Sequence, residues 1–333
     1  MMRLPKMEHL SPATLSEAGS LMREYGEKAR YLAGGTDILV ACKLRNCKPL
    51  VLISLGGIPE LQGIRFDERE GLRIGAMTHL SELRSNPLAM KRYPALVEAA
   101  AAVGTRQLQY MGTLGGNLCL NTRCMYYNQS DSWRKTRAVC LKMGGDVCHV
   151  VPKGKQCYAV FSGDMAPALM ALHGTAVLTD GAGERTVKIG DLYTGDGKNP
   201  LHLKPGEIIR EVRVPPPAGG LCSTYLKYRV RGSIDFALAG VAVQLASGEG
   251  GIVCTVVVNA VSSAPREAPE AAGMVNGKYL SADLINQAAQ EASRAAQPVA
   301  NTFGATPSYR RKMIEIMTRR AMTDLARDLA LLP

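Results

Sequence analysis

Thr113-Leu114-Gly115-Gly116-Asn117 runs directly into a segment, Cys119 to Val160, that holds five of the nine cysteines and the only tryptophan of the 333-residue chain. Eighty positions earlier, Ala33-Gly34-Gly35-Thr36-Asp37 stands between a short strand-like run, Ala29 to Leu32, and a helical stretch from Ile38 to about Leu44. Strand, glycine turn and helix make a phosphate-binding arrangement. Bare glycines let backbone N–H groups approach a pyrophosphate, and Thr36 and Asp37 add a hydroxyl and a carboxylate. A Gly-Gly-Thr by itself is more often an ordinary turn. Two such loops meeting from different units would clamp one dinucleotide. The chain has no G-x-G-x-x-G opening a βαβ unit, no G-x-x-x-x-G-K-[ST] and no H-E-x-x-H, which disfavours a Rossmann NAD site, a P-loop and a zincin.

The cysteines behind the second loop fall at Cys119, Cys124, Cys140, Cys148 and Cys157, and the last four are 16, 8 and 9 positions apart. Gaps this wide place them on a long loop. Structural zinc sites use C-x2-4-C pairs, and none occurs here. Four single thiolates suit an iron-sulfur cubane better, since each of its irons takes one thiolate from its own direction. The alternative is four unrelated thiols. Cys119, two residues past Asn117, reads as a non-ligand thiol, and His149 as a surface or supporting group. Tyr126, Tyr127 and Trp133 are expected to pack the loop and shield it from water. Cys42, Cys47, Cys222 and Cys254 read as small buried hydrophobes.

A formal charge of +11 fits either nucleic acid or an acidic protein partner. From 119 to 160, Arg123, Arg134, Lys135, Arg137, Lys142, Lys153 and Lys155 face only Asp131 and Asp146, a local excess of +5. That run is either a solvated face or a docking face for an acidic electron donor. A basic zinc protein binding nucleic acid is the rival from another class, but stacking aromatics and a helix-turn-helix pattern are missing. With no apolar run of about 18 residues, no membrane span is expected. The N-terminus shows no secretory h-region, so the expected compartment is the cytoplasm.

Along the chain, Thr14 and Glu17 form a capping box for a helix to about Tyr25. Strands are expected at 51–54, 63–67, 71–75, 176–178, 185–189 and 207–214, and helices at 80–84, 94–103 and from the 162–167 segment to 172. Residues 105–117 read as one loop. Pro215-Pro216-Pro217 followed by Gly219-Gly220 is the clearest boundary. Beyond it come strands at 223–230, 236–246 and 252–261, the last two joined by Gly248-Glu249-Gly250-Gly251, then helices near 281–295 and 308–331. The division expected is 1–57, 58–217 with the cysteine insert at 119–160, and 218–333, all of an α+β class.

The 33–37 loop, the 113–117 loop and Gly163-Asp164-x-x-Pro167 resemble the FAD-binding subunits of the xanthine dehydrogenase family of molybdenum hydroxylases. The insert, with Asn121-Thr122-Arg123-Cys124-Met125-Tyr126-Tyr127, Cys140-Leu141-Lys142, Cys148-His149-Val150 and Cys157-Tyr158-Ala159, is similar to that of 4-hydroxybenzoyl-CoA reductase β subunits. The resemblance spans essentially the whole chain and implies an FAD-binding PCMH-type two-subdomain fold with a C-terminal domain of the CO dehydrogenase flavoprotein type. Leu32, Ala33, Gly34, Gly35, Thr36, Asp37, Ile38 and Leu39, with Thr113, Leu114, Gly115, Gly116 and Asn117, would hold the FAD pyrophosphate. Val103 would lie near the flavin, and Asp164 and Lys227 would contact the cofactor. Cys124, Cys140, Cys148 and Cys157 would ligate a 4Fe-4S cluster. Gly34-Gly35 departs from the Ala-Gly of some relatives, a change expected to be harmless.

By the same resemblance, electrons from ferredoxin would pass through 4Fe-4S and FAD to 2Fe-2S clusters on a small subunit. From there they would reach a molybdenum site on a large subunit, where 4-hydroxybenzoyl-CoA becomes benzoyl-CoA. The assembly implied is a heterotrimer, dimerised. No catalytic acid, base or nucleophile is expected in this chain. The near rival is the FAD subunit of an aldehyde oxidoreductase, some of which also carry a cluster in this loop.

Overall fold

The structure, a computed structural model, describes residues 3–217, 220–248, 251–300 and 304–331. Gly219 of the expected boundary and Glu249-Gly250 of the expected hairpin turn lie outside the described residues. Three sheets organise the rest.

The first sheet is parallel, with Val51–Ser54 between Glu8–Leu10 and Ala29–Leu32. Parallel neighbours need crossovers, and the helices Leu15–Tyr25 and Ile38–Lys43 supply them. Thr14 Oγ1 accepts from Glu17 N at 3.1 Å, and the Glu17 carboxylate reaches back to Ala13 N at 2.8 Å. This is the capping box, its return bond one residue early. Leu15, Ala18, Val51 and Ile53 close a small core here.

The second sheet is antiparallel and has five strands, in the order Ile64–Asp67, Gly71–Gly75, Ile208–Val214, Thr175–Thr179 and Glu184–Lys188. Ile208–Val214 arrives from far downstream to fill the middle. Leu80–Ser85, Pro94–Ala102 and Met165–Ala171 cover this sheet and bury the largest core, which includes Leu72, Ile74, Leu96, Leu169 and Val212.

In the third sheet Leu221–Tyr228, Ala239–Gly248, Gly251–Asn259 and Arg266–Glu267 run antiparallel in sequence order. Both faces are buried. Val241, Val243 and Leu245 pack under Ala282–Ala295 and Pro307–Asp328, whereas Tyr225, Ala242 and Val257 join the core of the second sheet. A strand buried on both faces has no polar side to show, so Val256-Val257-Val258 is continuously apolar.

Residues 105–117 are not one loop. Thr105 caps the helix Arg106–Met111 and Thr113 caps Leu114–Leu118, each hydroxyl accepting from the backbone N–H three residues on. Helices of one turn are too short to show periodicity, and glycines at 115 and 116 mask the second. The caps were the available signal. No helix among the described residues is long and apolar enough to cross a membrane.

Candidate functional site

Two backbone loops meet at one cavity of about 740 Å³, within the range of roughly 300–1,000 Å³ usual for ligand sites. The contact between them is made by a glycine. A Cβ on Gly34 would lie 1.7 Å from Met111 O and 3.2 Å from Gly112 Cα. Gly35 has φ of 75°, a left-handed conformation that side chains resist. Thr113 then starts a helix whose first N–H groups are near Ala33: a Cβ on Gly116 would stand 3.6 Å from Ala33 Cβ.

Of the expected cofactor residues, Ala33, Gly34, Gly35, Thr36, Asp37, Ile38, Val103, Thr113, Gly115, Gly116, Asn117, Asp164 and Lys227 line this cavity. Leu32, Leu39 and Leu114 do not. Leu32 and Leu39 pack beneath Gly35, and Leu114 is fully buried in the main core. Val103 ends the helix Pro94–Ala102, and its carbonyl accepts at 2.8 Å from the amide of Gln109, a buried residue that also binds Ala101 O.

Asp164 and Lys227 form a buried ion pair at 2.9 Å, their side chains 4% and 5% exposed. Tyr225 Oη donates to the other Asp164 oxygen at 2.7 Å, and Lys227 also donates to Ala102 O at 2.9 Å. Burial raises the Tyr225 phenol well above its ordinary range, with the Asp164 charge adding to it, so it stays a donor. Asn117 Oδ1 accepts from Met165 N at 3.0 Å, joining the second glycine helix to the segment that carries Asp164. Ser162 Oγ lies buried at the cavity wall without a hydrogen-bond partner. An orphaned hydroxyl between backbone N–H groups and a charged pair fits a polar cofactor.

The insert closes at its neck through two backbone bonds, Arg123 N to Val160 O at 2.9 Å and Val160 N to Arg123 O at 2.8 Å. Inside, Cys124, Cys148 and Cys157 are buried together with Tyr127, Val150 and Ala159. Cys140 is half-buried beside them and interacts with Cys124. All four are free thiols. Burial pushes Cys157 up to about 11 and raises Cys124, while backbone N–H groups of Ala159 at the first and of Tyr127 and Tyr126 at the second pull the other way. Among the described residues, no group of three or more His, Cys, Asp and Glu is arranged to hold a metal ion. A single zinc, at about 2.3 Å from each thiolate, would draw its sulfurs nearly into contact.

Cys119 stands apart from these four, half-buried on the cavity wall. His149 donates from Nε2–H to Ala138 O, 2.8 Å away, and stacks on Tyr126 with ring centroids 5.3 Å apart. Tyr127 is buried against the cysteines, whereas Trp133 lies further out under the Arg137 guanidinium, 3.6 Å from its ring centre. Lys142 is a half-buried cation of the insert, and desolvation lowers it to about 8 against the charges of Cys157, Cys124, Asp196 and Cys140.

Several cavity residues escaped the sequence reading. Arg123 pairs with Asp37 at 2.6 Å and lies 4.4 Å from the centre of the Phe236 ring, so the insert's neck reaches the first glycine loop. Ile234, Asp235 and Phe236 come from the third sheet's first connection, held by Ile234 N donating to Gly104 O at 2.9 Å. No local pattern marks them; only the fold brings them near.

Residues 5–217 match the family described as the FAD binding domain in molybdopterin dehydrogenase, and residues 224–325 match the CO dehydrogenase flavoprotein C-terminal domain. The aldehyde oxidoreductase FAD-binding subunit of Escherichia coli is 34% identical over 223 residues, 64% of this chain and 70% of its own length. The carbon monoxide dehydrogenase medium chain of Hydrogenophaga pseudoflava is 30% identical over 321 residues, 96% of each chain. A solved structure of carbon monoxide dehydrogenase from Hydrogenophaga pseudoflava superposes with a TM-score of 0.78 at 28% identity, covering 97% of this chain and 98% of the other. The chain therefore belongs to the medium, FAD-binding oxidoreductase subunits of the molybdenum hydroxylase and carbon monoxide dehydrogenase family.

Proposed function

We propose that this chain is the electron-transfer subunit of a 4-hydroxybenzoyl-CoA reductase, carrying a 4Fe-4S cluster beside its FAD. The observation that supports this reading is that Cys124, Cys148 and Cys157 are buried in one small core of the insert, with Cys140 half-buried near Cys124, on an FAD-binding scaffold. Four thiols on one insert would offer one thiolate to each iron of such a cluster. When bound, flavin exchanges one or two electrons and a 4Fe-4S cluster exchanges one, so together they join one-electron carriers to two-electron chemistry.

The protein's own part is to hold these groups. Residues 33–37 and 113–117 would offer backbone N–H groups to the pyrophosphate, Val103 would lie near the flavin, and Asp164 with Lys227 would contact the cofactor. The N–H groups of Tyr127 and Ala159 aim at the Cys124 and Cys157 sulfurs, where they would stabilise thiolates. The proposal includes units at 1–57, 58–217 and 218–333, a large molybdenum subunit and a small 2Fe-2S subunit in a dimerised heterotrimer, and a cytoplasmic ferredoxin as donor. Anaerobic purification with iron and flavin analysis tests the cofactors, and reduction of 4-hydroxybenzoyl-CoA by the co-purified complex tests the substrate. A colourless, iron-free insert would refute the cluster.

The 34% identity to an aldehyde oxidoreductase subunit favours a second reading, the FAD and 4Fe-4S subunit of such an enzyme. Aldehyde oxidation by the same complex, with no activity on the thioester, would decide for it.

A further inference from the structure

Ser162 is 1% exposed, and its Oγ, at the wall of the cavity, has no hydrogen-bond partner in the chain. Buried hydroxyls elsewhere are bonded. Thr78 Oγ1 donates to Gly63 O at 3.1 Å, Thr122 Oγ1 to Gly197 O at 2.5 Å and Thr179 Oγ1 to Gly183 O at 2.8 Å, while Ser223 Oγ accepts from Ala95 N at 3.4 Å. Of the buried serines and threonines among the described residues, only Ser162 and Thr318 go without. Thr318 lies inside the helix Pro307–Asp328 and takes no part in the cavity.

Nor does Ser162 sit on a slack loop. Phe161 N donates to Ser262 O at 3.1 Å, Asn259 Nδ2 to Gly163 O at 2.9 Å and Met165 N to Asn117 Oδ1 at 3.0 Å. Gly163 leaves no room for a side chain, since a Cβ there would stand 2.6 Å from the Phe161 ring and 2.8 Å from Asn117 O. The segment 161–165 is therefore fixed from both sides. Its one carboxylate is already engaged, with Tyr225 and Lys227 donating to the two Asp164 oxygens. A hydroxyl held this way keeps the cost of its lost hydration unless something entering the cavity supplies a partner.

We propose that Ser162 is a direct contact of the cofactor, its hydroxyl donating to an acceptor atom of the bound FAD. The proposal rests on the cavity taking FAD and is independent of the cysteines of the insert. Deleting the hydroxyl then acts oppositely on the two states: the empty protein loses an unsatisfied donor, and the loaded protein loses a bond.

The test is a calorimetric FAD titration of the full chain stripped of flavin, with thermal unfolding of the empty protein beside it. Ser162→Ala is expected to bind FAD roughly 2- to 13-fold more weakly if the acceptor is uncharged, and about 10- to 150-fold more weakly if it is a phosphate oxygen. The empty variant is expected to melt at the same temperature as the unsubstituted chain or higher. Thr318→Val, which removes the other unpaired hydroxyl, is expected to leave FAD affinity unchanged. Unchanged affinity in Ser162→Ala overturns the proposal. A lower Tm of the empty Ser162→Ala protein, or its failure to fold, also overturns it, because the hydroxyl would then be holding the chain rather than awaiting the cofactor. Failure of the unsubstituted chain to bind FAD refutes the FAD reading itself, an outcome distinct from these.

Discussion

Ala in place of Gly34, as some relatives have it, was expected to be harmless, but the contact with Met111 and Gly112 leaves no room for it here, and Gly34→Ala tests whether this contact between the two glycine loops forms the FAD site. The added Cβ would sit 1.7 Å from Met111 O and 2.7 Å from its carbonyl carbon, where real Cβ atoms stay beyond 3.0 Å. Both obstacles are backbone, so no side chain can swing aside. Relief requires the loops to part by at least about 1.3 Å, well into the range where close packing is lost. Overpacking of this kind costs about 1–3 kcal/mol. If the closed geometry is needed for binding, that translates to roughly 5- to 150-fold weaker FAD, at tenfold per 1.4 kcal/mol. The assay is a flavin titration of apoprotein followed by calorimetry, with thermal unfolding of the apoprotein measured in parallel. Gly183→Ala, where a Cβ meets nothing within 4 Å, is the control. The cost appears in affinity if the apoprotein keeps its loops closed only on binding, and in Tm if they are closed already. Wild-type affinity together with wild-type Tm would refute the interlock.

Asp164→Ala leaves the buried Lys227 ammonium without its counter-charge and takes the acceptor from the Tyr225 hydroxyl, so a stability loss of about 3–5 kcal/mol is expected, with reduced flavin occupancy after gel filtration; full occupancy would count against a cofactor role. Cys140→Ser should lower iron content and leave FAD bound, because the glycine loops lie outside the insert, and normal iron would reject the ligand assignment. Arg123→Ala loses the ion pair to Asp37, whose side chains are 17% and 30% exposed, a weakening of FAD binding worth about 1 kcal/mol at most; a large loss in isothermal titration would mean that Arg123 touches the cofactor directly. Burial pushes Tyr31, Tyr93 and Tyr127 up to about 12. These phenols ionise in the unfolded chain near 10, so their contribution is complete below that pH and is lost as pH rises towards 12. Urea melts across this window should show falling stability, and a flat profile would contradict the burial.

What was legible in the chain was backbone chemistry. Gly34 and Gly35 declare a place where side chains cannot go, Thr14 with Glu17 declares a helix start, and Pro215 to Pro217 declares a stop. Each acts within a few residues, so each leaves a local mark. The strand Glu8–Leu10 left none, since two exposed residues and a half-buried leucine gain their order only from pairing with Val51–Ser54. Asp164 and Lys227 were reached through resemblance rather than pattern: an aspartate opening a helix and a lysine in a strand are ordinary until the fold sets them 2.9 Å apart. Ser162, Phe236 and Arg123 were missed for the same reason. Their roles are defined by partners 86 positions or more away in the case of Arg123 and Asp37, and no window along the sequence contains both.

That ion pair bears on how an insert of this size is carried at little cost. Loop-closure entropy grows only slowly with length, so the penalty for residues 124–159 depends mainly on how firmly the ends are joined. The paired bonds of Arg123 and Val160 fix the ends in the register of a two-stranded bridge. A small core of Cys124, Tyr127, Cys148, Val150, Cys157 and Ala159 then orders the interior independently of the main cores. Docking comes from Arg134 Nη2 to Leu44 O at 2.9 Å and from Asn46 Nδ2 to Tyr127 O at 3.1 Å, both at the far end of the helix that follows the first glycine loop. Asp37, at the near end of that helix, binds the neck. The helix Ile38–Lys43 is thus held by the insert at both ends while its N-terminus carries the cofactor loop. Were the insert to take up the proposed cluster, loading it and loading the cavity would act on this one helix, and any effect of either on the other must by linkage be equal in free energy, which FAD affinity measured with and without bound iron would read.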